Sequence, residues 1–181
     1  IGEGALVIWC LQWGFGVAAA IGVAWWAHQV LGDPAAATLA GAIAAVNPFL
    51  VYYDTRCIHP LSMDMALFVA VTGTVLLAAA AVRNVRWTII AGAVMGLALW
   101  QRSAVLAAGL FAWLLAIVRA RRIDRPATAR HALLWLVIAL VVVSPWLVRN
   151  ARLFHRLVYT TDFAHIVWLG NNPWSNGTYS D

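Results

Sequence analysis

The sequence contains no lysine; its twelve basic residues are all arginine. Charge of either sign is scarce, at 10% of the 181 residues against 64% hydrophobic. A soluble domain cannot solvate its surface with so little charge, whereas a chain that presents its surface to lipid can. Only two cysteines occur, Cys10 and Cys57, with no CxxC pair and no His/Cys metal spacing. A disulfide between them is chemically feasible at an outward face; two separate buried thiols are the ordinary alternative. No run alternates like a strand, and no internal repeat or low-complexity linker occurs. The chain opens on Ile close to an apolar run, so the expectation is an internal piece of a longer protein.

What is present is a series of six apolar runs: Ala5 to Leu31, Ala36 to Tyr53, Leu61 to Val82, Trp87 to Trp100, Ala104 to Val118 and Ala132 to Leu147. Their lengths suit helices. The expected fold is all-α, a polytopic integral membrane bundle with about six membrane helices, two of them short. The membrane domain is expected over residues 1–147, and an outward-facing segment begins over 148–181. The fourth and fifth runs reach only about 22 Å at ~1.5 Å per residue, short of a hydrocarbon core of about 30 Å. Arg102 at their tip then sits slightly below the membrane surface, where a cation must snorkel, meet water or bind an anion. Gly92 and Gly96 form a small-xxx-small face that admits a close neighbour helix.

The net charge of +5 suggests nucleic acid only if a basic face exists on a soluble module. Here the arginines lie in loops between apolar runs, as orientation signals do, and nucleic acid is not expected as a partner. Arg119, Arg121, Arg122, Arg125 and Arg130 share one short loop, which the positive-inside rule places in the cytoplasm. Alternation then puts Asp33 and Arg83 to Arg86 inside. Asp54 to Pro60, Gln101 to Ser103 and everything after Leu147 face outward, giving a multi-pass protein of the cell (inner or plasma) membrane with its active side outward.

Sorted this way, acids, bases and aromatics collect on the outward side, including Asp54, Arg56, His59, Asp64, Arg102, Arg149, His155, Asp162 and His165. A solvated loop is the plain account of any one of them; the clustering suggests a site. Asp64 falls about one turn into the third run. It either snorkels, pairs with Arg56 or Arg102, or handles a proton or metal near the surface. His59 before Pro60 is a candidate base or ligand, and with His155, Asp162 and His165 it leaves a divalent ion open, although no ligand spacing is specific. After Arg149, Tyr159, Trp168, Trp174 and Tyr179 lie among Gly and Asn. They suit the headgroup level, and equally a sugar, which stacks on aromatics and bonds to amides.

Three stretches carry a resemblance. Asn47-Pro48-Phe49-Leu50-Val51-Tyr52-Tyr53 leads from a span into a polar loop with a Pro before the next span. Gly96-Leu97-Ala98-Leu99-Trp100-Gln101-Arg102 resembles a Gly-Leu-Ala-Leu-x-x-Arg/Lys helix end. Pro145-Trp146-Leu147-Val148-Arg149-Asn150, followed by Gly170-Asn171-Asn172-Pro173, resembles a Pro-Trp-x-x-Arg-Asn…Gly-Asn-Asn-Pro pattern. In this order the set is similar to the GT-C glycosyltransferases of the protein mannosyltransferase and lipid A aminoarabinose transferase type (glycosyltransferase families 39 and 83).

The resemblance implies an enzyme of the bacterial cell envelope that moves a sugar from a polyprenyl-phosphate donor to a glycan, lipid or protein acceptor outside the membrane. It implies donor-phosphate contacts from Arg102 and Arg149, and sugar or acceptor contacts from Trp168, Asn171 and Asn172. In that family the principal catalytic Asp lies in the first outward loop, which is expected upstream of this chain. Asp54, His59 and Asp64 stand as weaker catalytic candidates, because relatives carry an acid where His59 precedes Pro60. No metal ligand is assigned. The rival expectation is a transporter or channel segment whose ionisable residues line a path across the bilayer; against it, the middle of most runs is free of charge, with Gln12 and His28 the exceptions.

Overall fold

The structure, a computed structural model, describes residues 3–56, 58–81, 84–120 and 124–159. Among the described residues it is all-helical, with α1 (Glu3–Leu31), α2 (Pro34–Ala45), α3 (Pro48–Arg56), α4 (Leu61–Ala80), α5 (Val85–Gln101), α6 (Val105–Arg119) and α7 (Arg125–Phe154). The helical class expected from composition is therefore present. The expected count of about six membrane helices is not. Three helices, α1, α4 and α7, are long and apolar enough to cross a membrane, and α2 with α3 makes at most a fourth.

The second apolar run is broken for a local reason. Pro48 has no N–H to continue α2 and restricts Asn47 before it. Asn47 Oδ1 instead accepts from the N–H groups of Phe49 and Leu50, at 3.0 and 3.3 Å, and so caps α3. The two helices meet at 42°. The shorter α5 and α6, of 17 and 15 residues, remain below span length. In contrast, α7 runs for 30 residues and passes through Pro145, well beyond both ends of the expected last run.

The turn between α1 and α2 follows from Gly32-Asp33-Pro34. Gly32 adopts the left-handed conformation (φ 69°) that ends a helix, with its N–H on the His28 carbonyl. Asp33 caps α2 by accepting from the Ala35 N–H at 2.9 Å, and Pro34 opens that helix, where no N–H is needed.

The chain divides into two compact units, Ile1–Val142 and Val143–Asp181. In the first, α4 packs against α1, α5 and α6, and α1 also packs against α2. Val71, Val75 and Ala78 of α4 and Ala91, Met95 and Ala98 of α5 are fully buried. Gly92 takes the close approach expected of its small-residue face. A methyl group there would lie 2.8 Å from Ile138 Cβ and 2.9 Å from the Trp135 carbonyl of α7. Small residues at such a contact let two helices approach closely. Leu6, Val17 and Ile21 of α1 and Phe111, Leu114 and Val118 of α6 stay exposed, as lipid-facing side chains do.

Candidate functional site

Asp54 lies in the last turn of α3 and is only 8% exposed. A carboxylate there opposes the helix dipole and loses its hydration, so it needs donors. Gln12 of α1 supplies one, donating from Nε2 to Asp54 Oδ1 at 3.2 Å and to the Tyr53 carbonyl at 2.9 Å. Ser62 of α4, fully buried, donates from Oγ to the same Asp54 oxygen. Trp13 Nε1 donates to the Asp54 carbonyl at 2.7 Å. Room for the carboxylate comes from Gly16, where a Cβ would stand 2.7 Å from Oδ2. Three helices therefore converge on one acid, whose Oδ1 accepts from both α1 and α4.

His59 extends this arrangement. Its backbone N–H donates to Gln12 Oε1 at 3.2 Å, and its ring packs on Tyr53 with centroids 4.7 Å apart. Its Nδ1 accepts from the Leu61 N–H at 3.2 Å, at the start of α4. This contact engages Nδ1 of the ring with the backbone at the start of α4.

Asp64 faces elsewhere, because residues two apart on a helix do not share a face and Ser62 is turned to Asp54. Its Oδ2 pairs with Arg102 Nε at 2.5 Å, and the two side chains are 13% and 52% exposed. Of the partners open to Asp64 from sequence, Arg102 is the one found. Asp64 Oδ1 is buried and has no hydrogen-bond partner among the described residues. Arg102 is the C-cap of α5, extended at φ −147° and ψ 127°, with its own N–H on the Ala98 carbonyl. Its terminal nitrogens carry no hydrogen bond among the described residues, and the side chain is half-exposed.

These contacts place the ends of the first unit. Gln12, Asp54, His59 and Ser62 gather at one end, and the Asp64–Arg102 pair joins the first turn of α4 to the α5–α6 turn. At the starts of α5 and α7, Thr88 Oγ1 and His131 Nδ1 lie 2.5 Å apart. Connections thus alternate between ends, as the apolar runs suggested. A cleft of about 1440 Å³ lies toward the ends of α1, α4 and α6 away from the Asp54 cluster, lined by Trp26, Phe68, Leu76, Phe111, Leu115 and Arg119 among others. It contains none of the residues around Asp54 or Arg102.

In the second unit Arg149 is exposed, with its guanidinium 5.4 Å from the Trp146 ring centroid and Nη1 donating to Asn150 Oδ1 at 3.4 Å. Trp146 and Asn150, four residues apart on α7, hold the returning chain. Trp146 Nε1 donates to the Tyr159 carbonyl at 3.2 Å, and Asn150 Nδ2 to the Val158 and Tyr159 carbonyls at 3.3 and 3.1 Å. Burial pushes the Tyr159 phenol above its usual value of 10.0. Trp168, Asn171 and Asn172 lie outside the described residues, as do Cys57, Asp162 and His165. Among the described residues no three His, Cys, Asp or Glu side chains form a metal-holding group.

The residues that sequence reasoning undervalued are Gln12, Trp13, Gly16 and Ser62. Gln12 carried a signal, since an amide within a lipid-facing run demands a partner. Ser62 and Gly16 carried none. No protein-family model, curated protein or solved structure matches the chain.

Proposed function

We propose that the chain is the donor-binding part of a GT-C type membrane glycosyltransferase, moving a sugar from a polyprenyl-phosphate carrier to an acceptor on the outer face. The observation that carries this reading is Arg102. It is a half-exposed guanidinium at the tip of two helices too short to span, with its terminal nitrogens unengaged among the described residues. A lipid-linked phosphate brings its charge to headgroup depth, and a forked cation there offers two parallel bonds to its oxygens.

The chemistry follows from that placement. As the bond between the anomeric carbon and the phosphate oxygen breaks, its electron pair passes to the polyprenyl phosphate. Arg102 stabilises the charge that develops there. The acceptor hydroxyl attacks the anomeric carbon and gives its proton to a carboxylate. Asp54 is engaged by Gln12 and Ser62, and Asp64 by Arg102, so the reading gives these residues the donor side and not the base. Arg149, exposed at the end of α7, is the second proposed phosphate contact, and Trp168, Asn171 and Asn172 the proposed sugar or acceptor contacts. The polar crowding at one end argues against a path through the bilayer. Thr72 and Thr74 within α4 bond back to carbonyls of their own helix.

Replacing Arg102 with Ala in the complete protein tests the reading. Loss of transfer from a polyprenyl-phosphate donor, with normal membrane insertion, is expected. Wild-type transfer would remove the phosphate role.

A further inference from the structure

Resting on the glycosyl-transfer reading, we propose that Asp64 is a positioning residue: it holds Arg102 by Nε so that both terminal nitrogens face the donor phosphate. A guanidinium is planar and rigid, so fixing Nε fixes the direction of the other two nitrogens. The contact that Asp64 makes is with Nε, through Oδ2. That leaves the forked edge of the cation open, the edge that matches two phosphate oxygens.

The two residues are anchored differently, which gives the pair its direction. Asp64 stands in the first turn of α4, a 20-residue helix at the centre of the first unit's packing, and is mostly buried. Arg102 belongs to the short connection between Gln101, which ends α5, and Val105, which begins α6, and its side chain is half-exposed. The helix-borne carboxylate aims the loop-borne cation. A long side chain on a turn would otherwise sample many rotamers, and a ligand would have to order it on binding.

The same geometry separates positioning from base catalysis. Asp64 Oδ2 is occupied by Arg102, and Oδ1 is closed off from solvent. The unpartnered oxygen is therefore not open to an acceptor hydroxyl arriving from solvent. Asp64 therefore acts through Arg102, and its removal weakens donor binding through the same contact that Arg102 makes.

The test uses the complete protein in phosphatidylcholine nanodiscs, with a polyprenyl monophosphate as the probe and its dissociation constant as the readout. Arg102→Ala is expected to weaken binding about tenfold or more, the loss of hydrogen bonds to a charged group. Asp64→Asn is expected to weaken it by about threefold to tenfold, and the double variant no further than Arg102→Ala alone. Asp64→Glu, which keeps the charge, is expected to recover most of the affinity and guards against a folding defect in the Asn variant. If Asp64→Asn binds the probe normally and transfer is lost, Asp64 is a base and the positioning role is overturned, while the phosphate site stands. If the two losses multiply in the double variant, Asp64 contributes independently, and the proposal also fails. If Arg102→Ala binds the probe as wild type does, the phosphate site itself falls and takes the positioning role with it.

Discussion

Asp64 Oδ2 and Arg102 Nε lie 2.5 Å apart, so the first turn of α4 is tied to the turn between α5 and α6. The pair is asymmetric. Its acid is mostly buried and its base half-exposed, which places it between a surface ion pair of about 0–1 kcal/mol and a buried one whose disruption costs about 3–5 kcal/mol.

Stability should reflect that asymmetry. Arg102→Ala leaves the Asp64 carboxylate shielded from solvent without a cation and is expected to cost about 1–2 kcal/mol. Asp64→Asn leaves an arginine that reaches water and is expected to cost less than about 1 kcal/mol. Unfolding of the single and double variants in detergent measures the coupling, expected at about 1 kcal/mol. Strictly additive losses would show that the contact does not contribute to stability.

The Asp54 cluster makes a sharper prediction about glycines. Gly16→Ala drives a methyl group to 2.7 Å from Asp54 Oδ2, and is expected to cost about 1–3 kcal/mol. Gly14, in the same helix, has nothing within 4 Å of such a methyl. Gly14→Ala is therefore expected to be neutral or to stabilise α1 by up to about 1 kcal/mol. Gln12→Leu, which removes donors to Asp54 Oδ1 and the Tyr53 carbonyl, is expected to cost about 1–3 kcal/mol. Thermal unfolding of the three variants checks the order, and equal effects at Gly14 and Gly16 would contradict the packing described.

Much of the helical layout was readable from the apolar runs, and so was the alternation of their ends, because lipid contact leaves long stretches without charge. The bend at Asn47-Pro48, which divides the second run into α2 and α3, has no mark in the hydropathy pattern. Ala, Val and Leu on both sides hid a proline whose effect is on hydrogen bonding and not on hydropathy. For the site, Arg102 drew notice because a cation near the end of a short apolar run is costly. The Asp54 cluster was only half legible. Gln12 and Asp54 are 42 residues apart, and their contact depends on how α1 meets α3, which no local pattern encodes.

The alternation of ends can be checked with engineered thiols. With Cys10 and Cys57 replaced by Ser, a cysteine at Ile58, exposed between α3 and α4, and one at Arg86, exposed at the start of α5, belong to opposite ends. A membrane-impermeant thiol reagent applied from the outside is expected to label the Ile58 position and to spare the Arg86 position until the membrane is opened. The reverse pattern would invert the proposed orientation, and labelling of both from one side would contradict the helix order.

Within the second unit, neighbouring residues of one motif have separable roles. Asn150 is buried, and its side-chain Nδ2 donates to the carbonyls of Val158 and Tyr159 while Oδ1 accepts from Arg149 Nη1. Asn150→Ala leaves those carbonyls without their amide donor and is expected to cost about 1–3 kcal/mol. Arg149 is exposed beside the Trp146 ring, a contact worth about 0.5–1 kcal/mol at such a site. Arg149→Ala is therefore expected to unfold near wild type while weakening the proposed phosphate contact. Parallel measurement of unfolding and of polyprenyl-phosphate binding separates the two. A variant at Arg149 that lost stability and kept full binding would reverse the assignment, making the arginine part of the scaffold. Normal binding with normal stability would remove Arg149 from the phosphate site and leave Arg102 to hold the donor.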